Sequence, residues 1–395
     1  MLWLVLLAAA GTFALTMGVR QSMALFLGPL NTSTGLGLAN ISLAFAIGQL
    51  CWGLTQPFAG AIADRVGAGR VLLVGLLLVA FGSFIIPWMT TTAGLILAIG
   101  VLAAGGAGMA GPAVLMAATT RLVPVERRGL ASGVVNAGGS LGQFAIAPIA
   151  GGLLVAIGWM NAMQVLALLV LIALPAAWVL RGNASHAVPF GQPRQSAREA
   201  IAQAWSLPSY RYLSAGFFVC GFHVAFLATH LPGVVAACGL PVQYGAWSLA
   251  VLGLFNIVGS IAMGWAVGRW RMKSLLALVY SARALAVLVF LVAPKTGPVV
   301  LVFAAVMGLT YLSTVPPTVG LVLKFFGPAN MAMLFGMVML SHQVGAFLGA
   351  WLGGQVFEAT GSFDLVWIID ILLAVGAALV HLPIREAPVR AHTAA

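Results

Sequence analysis

Residues 2–27 read LWLVLLAAAGTFALTMGVRQSMALFL, with a single charge, Arg20, in the whole run. As a helix this stretch covers the ~30 Å hydrocarbon core of a bilayer, which needs about 20 residues. A guanidinium at that depth costs at least ~2.5–3.5 kcal/mol on insertion scales, so such a residue faces a wet cavity or a partner. No acidic residue precedes Asp64. Arg20 has two readings, a structural cation satisfied by carbonyls or a clamp for a carried anion. Its depth, the missing counter-ion and its match to His223 in the second half of the chain favour the clamp. The run has no basic n-region and no small-residue cleavage site, so it is expected to be a retained helix, not a signal peptide.

Outward from this stretch the pattern repeats. The 395 residues are 62% hydrophobic and 6% charged, against about 25% charged in a soluble domain. Apolar runs at 3–28, 41–63, 71–91, 94–119, 129–156, 160–180, 212–234, 245–267, 273–293, 297–323, 331–357 and 363–383 predict an all-α membrane protein with twelve transmembrane helices. The net charge of +11 lies between the spans and almost wholly on one side. Arg70, Arg121, Arg181, Arg211, Arg269 and Lys273 exemplify that side, against Lys295 alone on the other. The positive-inside rule makes the rich side cytoplasmic, with both termini there. The charge is therefore a topology signal and gives no support to nucleic-acid binding. The expected setting is a bacterial inner membrane.

The polar stretch around Arg181 to Tyr212 divides the spans six and six. It sets domains at 1–181 and 212–395, joined by a cytoplasmic linker over 182–211. Within the linker, Ala197 to Trp205 has helical periodicity suited to a membrane surface. Cys51, Cys220 and Cys238 show no metal or disulfide spacing. There is no Walker lysine motif and no plausible catalytic triad, so no enzyme, cofactor or metal is expected.

The two halves match at an offset near 203 residues. Gly18-Val-Arg20 corresponds to Gly221-Phe-His223, Pro29 to Pro232, Pro112 to Pro316, and Gly133 and Gly142 to Gly336 and Gly345. Two like six-helix halves place a substrate site at the bilayer midplane between them, and equivalent positions should face one cavity. On that logic Arg20 and His223 are expected to face each other. Gln49, Trp52 and Gln56 lie on one face of span 2, and Trp52 and Gln56 correspond to Asn256 and Ser260 of span 8. Tyr311 and Thr314 precede the Pro316-Pro317 break of span 10, where carbonyls are freed for a site or a hinge. These nine residues form the candidate binding set. Arg283 in span 9 and Asp370 in span 12 lie at similar depth and are expected to form a structural ion pair.

The run Gly60-Ala-Ile-Ala-Asp64-Arg65-Val-Gly67-Ala-Gly-Arg70 closely resembles the loop 2–3 signature of the major facilitator superfamily. The resemblance covers the whole chain. It implies two pseudo-symmetric six-helix bundles, with the Asp–Arg motif holding one conformation of the carrier. More narrowly, Met17-Gly-Val-Arg20-Gln-Ser22, Phe26 and Pro29-Leu30 resemble the start of bacterial monocarboxylate and oxalate/formate carriers. Asn256 stands where that group has Asn or Asp, but Ser260 replaces its arginine. The resemblance implies a secondary transporter of a small organic anion, a carboxylate, expected to act as a monomer. A proton-coupled efflux carrier for drugs or metabolites is the alternative. Coupling to protons, exchange and uniport stay open.

Overall fold

The structure, a computed structural model, describes residues 2–123, 128–181, 197–327 and 331–387. Within these, the side chains at 64, 65, 117, 120, 121, 128–130, 132, 197, 331 and 332 fall outside the description. The described residues hold twelve helices long and apolar enough to span a bilayer. They are α1 Leu2–Thr34, α2 Leu38–Ala63, α3 Ala68–Trp88, α4 Thr92–Met116, α5 Gly133–Ile157, α6 Trp159–Val179, α7 Pro208–Ala237, α8 Val242–Val267, α9 Met272–Val292, α10 Gly297–Phe326, α11 Met333–Thr360 and α12 Asp364–His381. All twelve sequence-predicted spans are present. Large apolar side chains such as Phe58, Ile172, Ile261, Val292 and Leu372 point outward, as they do where lipid is the solvent.

Two helices are broken where prolines were read. In α4 the backbone leaves the helix at Gly111 and resumes at Pro112, after a π-helical stretch over Ile96–Ala103. In α10 the helix Gly297–Thr310 stops and a second begins at Val315, just before Pro316. Each proline sits in the first turn of its new helix, where its missing N–H costs nothing. The predicted linker lies outside the described residues as far as 196. Beyond it, the helix Ala197–Ser206 forms as expected and buries Ala204 in a cluster with Tyr210, Leu213 and Phe325.

The sequence repeat is visible in the packing. Gly142 of α5 lies against the backbone of Ala14 in α1, and Gly18 lies against Gly142. Its counterpart Gly345 of α11 lies against Phe218 in α7, and Gly221 lies against His342. Both crossings bring backbones so close that only glycine fits, the small-residue packing that replaces the hydrophobic effect within a bilayer.

The halves meet through α2 with α11 and α5 with α8. On the side away from the chain termini they touch closely. Ala39 N donates to Glu358 Oε2 at 2.7 Å, Gly354 sits on Ser42, and Gly151 sits on Ala246. Contact continues just past mid-helix, with Gly53 against Gln343 and Asn256 Nδ2 donating to Ser140 Oγ at 3.0 Å. On the terminus side it is lost. A Cβ added at Gly60, Gly133, Gly264 or Gly336 would meet nothing within 4 Å among the described residues. The two halves are closed at one face and splayed at the other.

Candidate substrate cavity

A cavity opens beside Arg20 between the halves. Val19, Arg20, Gln21 and Met23 of α1 line it, with Phe45, Gly48 and Gln49 of α2. Val79 and Ser83 of α3, Ile99, Ala103 and Ala104 of α4, and Ala228 and Thr229 of α7 complete the wall. The α4 wall coincides with the π-helical stretch. π-turns widen a helix and recur at functional sites.

Arg20 is partly buried. Its Nη2 donates to Gln49 Oε1 at 2.5 Å, and its guanidinium lies 4.8 Å from the centre of the Trp52 ring. A guanidinium carries five N–H donors, and among the described residues only the bond to Gln49 is formed. Among the described residues no Asp or Glu lines the cavity. The Trp52 indole N–H and the hydroxyls of Ser83 and Thr229 are buried without hydrogen-bond partners. The site therefore holds one cation, unused donors and apolar walls, an arrangement suited to an anion with a small apolar body.

The Major Facilitator Superfamily profile matches residues 3–302. This chain belongs to the major facilitator superfamily. It is 26% identical over 392 residues to monocarboxylate transporter 13 of Rattus norvegicus, covering 96% of this chain and 89% of the relative. It is 22% identical over 409 residues to an uncharacterised MFS-type transporter of Bacillus subtilis (strain 168), covering 97% and 95%. Among solved structures it superposes on the nucleoside transporter NupG with TM-score 0.79 at 16% identity, covering 96% and 99%. On a D-xylose–proton symporter the TM-score is 0.76 at 14% identity, covering 97% and 98%. The likeness to these structures shows the shared fold. The chain is a multi-pass membrane transporter related to monocarboxylate transporters, and its relatives are transporters, not enzymes.

The superfamily's loop motif is partly visible. Gly67 takes φ 92 and its N–H caps α2 on the Ala63 carbonyl at 3.0 Å. That left-handed backbone explains the glycine. Gly60 faces open space, and Arg70 is exposed. The side chains of Asp64 and Arg65 lie outside the described residues.

Of the nine residues predicted for binding, the structure brings Arg20, Gln49 and Trp52 together. Gln56 donates at 3.3 Å to the Trp52 carbonyl of its own helix. Asn256 joins Ser140 to the α10 break, where it accepts from Leu312 N at 3.1 Å, and Ser260 donates to it at 3.3 Å. Thr314 contacts Cys220 Sγ at 3.0 Å within the second half. Tyr311 donates from its hydroxyl to the Val224 carbonyl at 3.0 Å, and that hydroxyl interacts with the Gln21 side chain and with the charge of Arg20.

Two expectations need correction. His223 does not face Arg20. Its Nε2 lies 3.1 Å from Asp370 Oδ1 of α12, and both side chains are buried. The repeat misled because the residue equivalent to Asp370 in the first half is Ala167, so only the second half holds a carboxylate that draws its helix-7 partner inward. Arg283 and Asp370 also form no direct bridge. Arg283 Nη2 donates to the Thr310 carbonyl and, at 2.7 Å, to that of Tyr311. The α10 break freed those carbonyls at the same depth. Sequence reading missed Ser83, Thr229 and Phe45 of the cavity wall. A hydroxyl or an aromatic ring in an apolar span carries no signal of its facing, since a serine or threonine can bond its own helix.

Proposed function

We propose that this transporter is a secondary carrier of a small organic anion, a carboxylate, and that it works by alternating access as a monomer. The observation that carries the reading is Arg20, a membrane-depth cation with spare donors and no carboxylate in its cavity. The kinship with monocarboxylate transporters supports it. An exporter of cationic drugs would need an acidic group where Arg20 stands. The contact at one face and the gap at the other support a carrier caught open toward the terminus side. With the charge asymmetry of the loops, that side is the cytoplasm of a bacterial inner membrane, and the state is inward-open.

The test is thermal stabilisation of detergent-purified protein by a panel of small carboxylates against cationic dyes. A ligand that binds only the folded state raises the melting temperature with its concentration. The expected result is stabilisation by one or more carboxylates and its loss in Arg20→Gln. Stabilisation by cations alone, or unchanged carboxylate binding in Arg20→Gln, would sink the reading.

A further inference from the structure

We propose that the buried His223–Asp370 pair, with Arg283 beside it, is a proton-binding site, loaded and unloaded once per transport cycle and separate from the Arg20 cavity. The proposal rests on the anion-carrier reading.

The geometry is unlike a structural ion pair. His223, Arg283 and Asp370 are each 1% exposed. His223 Nε2 and Asp370 Oδ1 are 3.1 Å apart, yet neither atom makes an aligned hydrogen bond, nor does His223 Nδ1. Arg283 Nε and Nη1 also lack partners. Buried polar groups are nearly always satisfied, and each exception calls for a reason. A group that changes protonation supplies one, because donors and acceptors that match in one state are mismatched in the other.

The other groups facing the pair are few. Helix α7 adds the Cys220 thiol, α9 the Tyr280 phenol, α10 Tyr311 and the Thr314 hydroxyl, and α11 His342. Asp370 is the only acidic residue among the described ones whose side chain is buried. With His223 neutral, Arg283 and Asp370 cancel in charge. One added proton, on the carboxylate or on the imidazole, leaves the cluster at +1. An anion arriving at Arg20 offsets that charge, so the pair of events moves no net charge across the membrane.

Tyr311 connects the two sites. Its carbonyl accepts from Arg283 and its hydroxyl donates to Val224, the residue after His223. That hydroxyl is also within reach of the Gln21 side chain and feels the charge of Arg20 on the cavity side. A shift of Tyr311 on cargo binding therefore disturbs a bond of Arg283 directly. It also disturbs the α7 backbone beside His223.

The chain has only seven Asp and Glu residues, so carboxyl bands in infrared difference spectra can be assigned. Purified full-length protein would be compared between acid and alkaline buffer, with Asp370→Asn and His223→Gln. The expected result is a carbonyl band of a buried carboxylic acid that titrates, disappears in Asp370→Asn and moves along the pH axis in His223→Gln. An unchanged band in Asp370→Asn overturns the proposal. In proteoliposomes with L-lactate as the probe, Asp370→Asn should lose at least tenfold of the uptake driven by a pH gradient while keeping lactate exchange. Undiminished driven uptake would also overturn it. If wild-type protein moves neither lactate nor any carboxylate of the stabilisation panel but the band behaves as expected, the cargo assignment fails and the proton site stands. Should Asp370→Asn fold poorly, the shift of the band in His223→Gln decides the matter.

Discussion

At the scale of single residues, among the described residues Arg20 is held by one neutral hydrogen bond and one ring, and no carboxylate lines its cavity. Lysine would keep its charge and lose the planar two-point grip on a carboxylate. Arg20→Lys should thus weaken carboxylate binding by about tenfold, and Arg20→Gln by about a hundredfold. The latter corresponds to the ~1.5–3 kcal/mol of a charged hydrogen bond. Isothermal titration on folded, monodisperse variants checks both. Arg283 is the contrasting case, a cation whose partners are the Thr310 and Tyr311 carbonyls. Its removal leaves carbonyls and Asp370 unbalanced in the core, a loss of ~3–5 kcal/mol. Arg283→Gln should therefore lower folded yield, and adding Asp370→Asn should not restore it, because the carbonyls stay unpaired. Full recovery in the double variant would show that the two charges depend mainly on each other.

At the scale of helices, glycine position separates two roles. Gly142 and Gly345 sit where α5 crosses α1 and α11 crosses α7, against neighbouring backbone that cannot move aside. Alanine at either should cost ~1–3 kcal/mol as overpacking and lower the melting temperature. Gly60 and Gly336 face the gap at the terminus side. Alanine there should leave stability unchanged or slightly raised, since glycine is ~1 kcal/mol worse than alanine within a helix. If that gap closes during transport, the same substitutions should slow uptake. Equal melting temperatures for the two groups of variants would refute the distinction. The break of α10 was legible at Pro316, because proline acts on its own backbone, whereas Pro112 entered the sequence reading only as the repeat match of Pro316. The π-helical stretch Ile96–Ala103 was not legible, since its residues, ILAIGVLA, read as an ordinary apolar helix.

At the scale of the whole molecule, Glu358 latches the closed face. Its carboxylate accepts from Ala39 N at the start of α2, where the helix dipole favours a negative charge. Gly37, with φ 86, gives it room. Removing the latch should shift the population toward opening on that face. The shift can be read as faster maleimide labelling of Ser42→Cys, a position fully buried under Gly354. Labelling in Glu358→Ala no faster than in the parent would show that the apolar seam alone holds the face shut.

The sequence by itself determined the twelve spans, the repeat and the isolation of Arg20. Hydropathy, length and the want of an acid before Asp64 are properties of the chain alone. The repeat also matched Gly142 with Gly345 and Gly18 with Gly221, the glycines that sit at equivalent helix crossings, since a backbone contact depends on register along a helix. The repeat failed for His223, and equal depth failed for Arg283, because their partners depend on which way a side chain turns about the helix axis and on what other helices bring to meet it. Asp370 stands where the first half has Ala167, and that one difference in a distant helix redirected His223. The tertiary structure likewise decided that α10 offers its carbonyls to Arg283. It also decided that Ser83 and Thr229 face the cavity, because only the packing of separate helices turns a lone hydroxyl toward a space instead of toward its own backbone.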